Sequence, residues 1–118
     1  MADGKPVMYG IPNCGSIKKA RAWLEEQGID YEFHDYKKRG VDEALLRDWV
    51  AQFGWEQVLN KRGMTWRKLD DEVKSSMDEN RAIATMLDKH SIIKRPILTL
   101  GERTLLGFDD AQYGEAFR

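Results

Sequence analysis

Hydrophobic positions along this chain switch between two spacings, and the switches outline its elements. Residues 6–11, Pro-Val-Met-Tyr-Gly-Ile, form a short apolar run halted by Pro12-Asn13, which predicts a buried strand in the middle of a sheet. From Gly15 the spacing turns helical: Ile17, Ala20, Trp23 and Leu24 share one face, and Gly28 is a natural stop. Residues 31–36, Tyr-Glu-Phe-His-Asp-Tyr, alternate aromatic and polar and predict a second strand, parallel to the first through a right-handed crossover. The opening third is therefore a βαβ unit.

Gly40 and Asp42 open a helix with the apolar stripe Leu45, Leu46, Trp49, Val50 and Phe53, ended by Gly54. Between Trp55 and Met77 the signals are short and mixed, which predicts broken helical turns. Ser76 and Glu79 have capping-box spacing ahead of a helix that buries Ile83, Met86 and Leu87 and runs to about Lys89. Residues 40–90 thus read as an all-helical insertion. Pro96–Leu100 and Arg103–Gly107 flank Gly101-Glu102 as an antiparallel hairpin, and a short helix from Asp109 closes the chain. The pattern predicts an α/β fold: one mixed four-stranded sheet joining a βαβ half to a ββα half, interrupted by helices.

Composition narrows the function classes. A length of 118 residues implies a single domain, and 42% hydrophobic content sustains a core without disulfides. With 19 Lys plus Arg against 20 Asp plus Glu the net charge is -1, so bulk attraction to nucleic acid is not expected. No apolar stretch approaches the ~20 residues of a membrane span, and the opening residues lack a secretory apolar region, so a cytoplasmic, membrane-free protein is expected. The single cysteine, Cys14, fits a reducing compartment and forbids a disulfide within one chain. His34 and His90 give no zinc spacing with it, so no metal is expected. Trp49, Trp55 and Trp66 read as core rather than base-stacking residues, and no phosphate-binding glycine motif occurs.

Cys14 carries the chemistry. It falls between the first strand and the first helix, where the amides of Gly15, Ser16 and Ile17 and the helix dipole favour an anion. A thiol so placed ionises more readily than a free cysteine, and the thiolate is the nucleophile. Lys18 and Lys19 add positive charge, and Gly15 allows close backbone approach. The competing reading is a small buried hydrophobe; the flanking Pro12-Asn13 and Gly15-Ser16 favour the reactive one. At Arg95-Pro96 the dipeptide alone favours a trans bond. Arg95 reads either as a solvated strand-end charge or as the partner of the thiolate, or of an anionic ligand, through its fork of donors.

Met-Tyr-Gly-Ile-Pro-Asn-Cys-Gly-Ser-Ile-Lys-Lys-Ala at 8–20, Lys-Arg-Gly-Met-Thr-Trp-Arg-Lys-Leu at 61–69 and Ile-Ile-Lys-Arg-Pro-Ile at 92–97 resemble the arsenate reductase (ArsC) family, most closely its Spx/MgsR and YffB-like branch. The resemblance implies a thioredoxin-like fold with a helical insertion, Cys14 as the catalytic thiol, Arg95 as its arginine neighbour, and a cis bond before Pro96. Two departures stand out. Glutaredoxin-coupled arsenate reductases carry three arginines around the oxyanion. Arg95 matches one, whereas the others fall near Asn60, beside Lys61 and Arg62, and on Leu106 or Gly107. Spx regulators use a Cys-x-x-Cys switch whose second position is here Ile17. What remains resembles glutathione-dependent thiol reductases of the YffB-like kind. Glutathione is then the co-substrate, with no tightly bound cofactor, and glutaredoxin or a glutathionylated protein is a partner. Asn13, Gly15, Ser16, Lys18, Lys61, Arg62 and Pro96 are the candidate substrate-binding positions, although a solvated helical face also accounts for Lys61-Arg62. The rival readings are glutaredoxin-coupled arsenate reduction and a non-enzymatic Spx-like regulator that docks on RNA polymerase.

Overall fold

Strands β1 (Val7–Gly10) and β3 (Ile97–Leu100) hold the middle of a four-stranded sheet, with β2 (Glu32–Asp35) and β4 (Arg103–Leu106) at its edges, in a computed structural model that describes residues 5–117. β1 pairs parallel with β2 and antiparallel with β3, and β3 pairs antiparallel with β4. The mixed sheet and its βαβ and ββα halves are those the alternation predicts. Met8 lies opposite Phe33 and Leu98, and Leu98 opposite Leu105, so one row of apolar side chains crosses the sheet on a single face. Helix α1 (Gly15–Glu26) covers that row with Ile17, Ala20 and Leu24, and Tyr113 of the C-terminal helix α8 (Asp110–Ala116) joins the same core cluster.

Contacts divide the chain into two compact units, one reaching to Arg39 and resuming at Arg95, the other Gly40–Lys94. The second unit holds helix α3 (Glu43–Phe53), short turns α4 (Trp55–Val58), α5 (Met64–Arg67) and α6 (Asp71–Ser75), helix α7 (Glu79–Asp88) and a 3₁₀ turn at His90–Ile92. Its buried residues include Leu46, Trp49 and Val50 from α3 and Ala82, Ile83 and Met86 from α7. Asp42 caps α3, its carboxylate accepting from the Leu45 amide at 3.1 Å. An isolated β-bridge, Leu59 to Ile93, interrupts what the periodicity reads as purely helical.

Two local expectations are corrected. Ser76 does not cap α7: Asp78 does, accepting from the Arg81 amide at 2.9 Å, while Ser76 closes α6 and donates its hydroxyl to the Val73 carbonyl. Asp is as good an N-cap as Ser, and taking it lets Ser76 finish the preceding turn. The second strand also stops one residue early, because the Asp35 carboxylate accepts from the Lys37 amide and starts a helical turn, α2 (Tyr36–Arg39). No helix among the described residues is long and apolar enough to cross a membrane.

Candidate active site

β1 ends at Gly10, and four residues later Cys14 takes the N-cap position of α1 with extended backbone, φ -111° and ψ 135°. Its carbonyl accepts the first helical bond, from the Lys18 amide at 3.0 Å. Unlike Asp42, the side chain offers no oxygen to the first turn. A neutral thiol is a weak acceptor, and an ionised sulfur is a strong one for the same amides. Ile17 anchors this turn, fully buried in the core cluster, and Cys14 packs partly against that cluster while keeping some exposure.

Gly10 is a site residue that the sequence reading passes over. A methyl group there would collide with the Ile17 side chain and come 3.8 Å from the Arg95 Cβ. Its missing side chain therefore lets Ile17 of α1 close on the end of β1, and overpacking such a junction costs about 1–3 kcal/mol. A lone glycine inside a strand run was the available signal, since it marks close approach of another segment.

Arg95, just ahead of β3, reaches Cys14. Burial pushes the thiol up, but the Ile17 amide, a hydrogen bond from the Arg95 side chain, the Ser16 amide and the guanidinium charge outweigh it, so the Cys14 pKa is lowered. The Arg95–Pro96 bond is cis, as the resemblance implies and against the default for the dipeptide. Pro96 is buried, and its carbonyl accepts from the Gly107 amide at 2.8 Å. Asn13, Gly15, Ser16 and Lys18 are exposed around the sulfur's loop and the first turn of α1. One unit thus gathers Cys14, its flanking residues, Arg95 and Pro96.

Lys61 and Arg62 belong to the other unit. There the Lys61 ammonium pairs with Glu56 at 3.3 Å and lies 5.1 Å and 5.6 Å from the ring centroids of Trp55 and Trp66. The Arg62 amide donates to the Asn60 side chain, and both basic residues line a cleft of about 200 Å³ with Asn60, Lys94 and Glu56. Among the described residues no three His, Cys, Asp or Glu side chains converge as metal ligands. The site offers a half-exposed, polarised sulfur with an aliphatic residue, Ile17, where a resolving thiol would stand.

The sequence profile of the ArsC family matches residues 9–116. An uncharacterised protein of Haemophilus influenzae is 41% identical over 110 residues, covering 93% of this chain and 96% of its own. The global transcriptional regulator Spx 2 of Bacillus anthracis is 28% identical over 110 residues, covering 90% of this chain and 82% of its own. Among solved structures, a protein named YFFB superposes with a TM-score of 0.93 at 50% identity, covering 97% of this chain and all of that one. An ArsC-related protein of Brucella melitensis gives 0.78 at 44% identity, over the whole of this chain and 98% of its own.

Proposed function

The chain belongs to the ArsC family, and from that premise we propose that it is a glutathione-dependent thiol reductase working through Cys14 alone, on the thioredoxin-like α/β scaffold it shares with its structural neighbours. The observation that carries the reading is the hydrogen bond from Arg95 to a partly exposed sulfur that also faces two first-turn amides. In the first half-reaction the Cys14 thiolate attacks the glutathionyl sulfur of a mixed disulfide. The S–S bond breaks, Cys14 becomes glutathionylated, and the substrate leaves as a thiolate that takes a proton from water. A second glutathione, as thiolate, then attacks the glutathionyl sulfur, forming oxidised glutathione and returning the Cys14 thiolate. Lowering a thiol's pKa costs some nucleophilicity but makes it a faster leaving group. Arg95 and the amides serve the second half-reaction, in which Cys14 leaves. Ile17 leaves glutathione, not a second protein thiol, to resolve the intermediate.

Asn13, Gly15, Ser16, Lys18 and Pro96 frame the incoming disulfide. The cytoplasm is the setting, since it supplies the reduced glutathione. The test is incubation with oxidised glutathione, then with a glutathionylated peptide plus glutathione. A single glutathionyl adduct on wild type, none on Cys14→Ser, and peptide release coupled to NADPH use through glutathione reductase are expected. No adduct and no release would overturn the reading.

The match to Spx 2 favours one further reading, a regulator that binds RNA polymerase with Cys14 as a passive redox mark. Unchanged polymerase binding by Cys14→Ser, without turnover, would decide for it. Arsenate-dependent NADPH consumption with added glutaredoxin would instead mark an arsenate reductase.

A further inference from the structure

Three neighbouring strands finish or begin at the Cys14 end of the sheet. β1 and β2 run parallel and end side by side, Gly10 opposite Asp35. β3 runs the other way and starts there, with Ile97 opposite Tyr9 and Arg95 just ahead of it. Tyr36 follows Asp35 directly, so the chain sets it one strand beyond Gly10, and the Arg95 Cβ lies 3.8 Å from where a Gly10 side chain would begin. Tyr36 is 0% exposed, and its hydroxyl oxygen and the Arg95 Nε are both buried. A phenylalanine would fill that volume without the cost of desolvating a hydroxyl.

We propose that Tyr36 is a positioning residue, its buried phenol fixing the Arg95 guanidinium against the Cys14 sulfur without touching the sulfur itself. The proposal deepens the thiol-reductase reading and rests on it. Burial dominates the phenol and pushes its pKa up, while the Arg95 charge pulls it down and Tyr9 pushes it up again. Tyr36 therefore stays neutral over the range in which thiols titrate. An ionised phenol would compete with the thiolate for Arg95, whereas a neutral one presents a dipole and leaves the charge to sulfur. Other titratable groups at this end of the unit include Tyr9 on β1, His34 on β2, whose ring centroid is 4.9 Å from that of Tyr9, Asp35, exposed Lys37, Lys38 and Arg39 on α2, and exposed Lys18 and Lys19 on α1.

The experiment is a double-mutant cycle read as the pH midpoint of Cys14 alkylation by iodoacetamide, in wild type, Tyr36→Phe, Arg95→Ala and the double variant. Tyr36→Phe is expected to raise the midpoint by roughly half a unit in the wild-type background and to change nothing once Arg95 is gone. Tyr113→Phe is the burial-matched comparison: its hydroxyl is buried without a hydrogen-bond partner in α8, and its removal should leave the midpoint in place. Circular dichroism and melting curves confirm that each variant folds. An unmoved midpoint in Tyr36→Phe, or the same shift with and without Arg95, overturns the proposal. Intact Tyr36 coupling in a protein that never turns over glutathione supports it and sinks the reductase reading alone.

Discussion

At Cys14 the contest is between burial, which opposes ionisation, and a guanidinium plus two amides, which favour it, and the second group wins. Because Arg95 contributes both a hydrogen bond and a charge, Arg95→Ala is expected to raise the alkylation midpoint by about one unit or more, toward the ordinary thiol range. Arg95→Lys should recover only part, since an ammonium keeps the charge but not the planar fork. An Arg95→Ala midpoint equal to wild type would assign the lowering to the helix amides alone. The amide share of the Cys14 polarisation was legible in the sequence because it is local: a strand end, Pro12-Asn13, Gly15-Ser16 and a helix start are all within a few residues. Gly10 and Tyr36 were not, because Ile17 meets Gly10 only once α1 has packed on β1, and Tyr36 comes under the Arg95 charge only once the strands have paired.

Among the elements, long periodic segments were readable and short ones were not. Of the predicted α3 stripe, Leu46, Trp49 and Val50 are buried and Leu45 and Phe53 half-buried, with Asp42 and Gly54 at the helix ends. The turn α2 escaped, because four residues are too few to show a period and its start depends on one Asp35 side-chain bond. Ser76 and Asp78 are both good caps, and spacing alone picked the wrong one. The assignment predicts that Asp78→Ala destabilises the protein by ~1 kcal/mol in urea unfolding, while Ser76→Ala, which removes only an exposed hydroxyl bond at the end of α6, costs clearly less. Equal losses would restore Ser76 as the cap.

For the molecule as a whole, the lowered Cys14 pKa ties folding stability to pH and to redox state. Between the folded and unfolded thiol pKa values the unfolded chain binds more protons, so stability rises with pH across that window. The increment is complete above the ordinary thiol value and is lost as pH falls through the lowered, folded one. A mixed disulfide at Cys14 has no anion for Arg95 and the first turn of α1 to hold, so the adduct forgoes the increment altogether. Reduced protein should therefore resist urea better than its glutathionyl adduct at pH 9. The gap should shrink steadily toward pH 5 as the thiol protonates, and Cys14→Ser should follow the adduct, not the reduced protein. By the same cycle, whatever favours the reduced fold makes the Cys14 adduct a better oxidant, which in the proposed mechanism would drive its release by a second glutathione. A gap that stays constant with pH would uncouple the sulfur's charge from stability. It would leave the second half-reaction without this source of driving force.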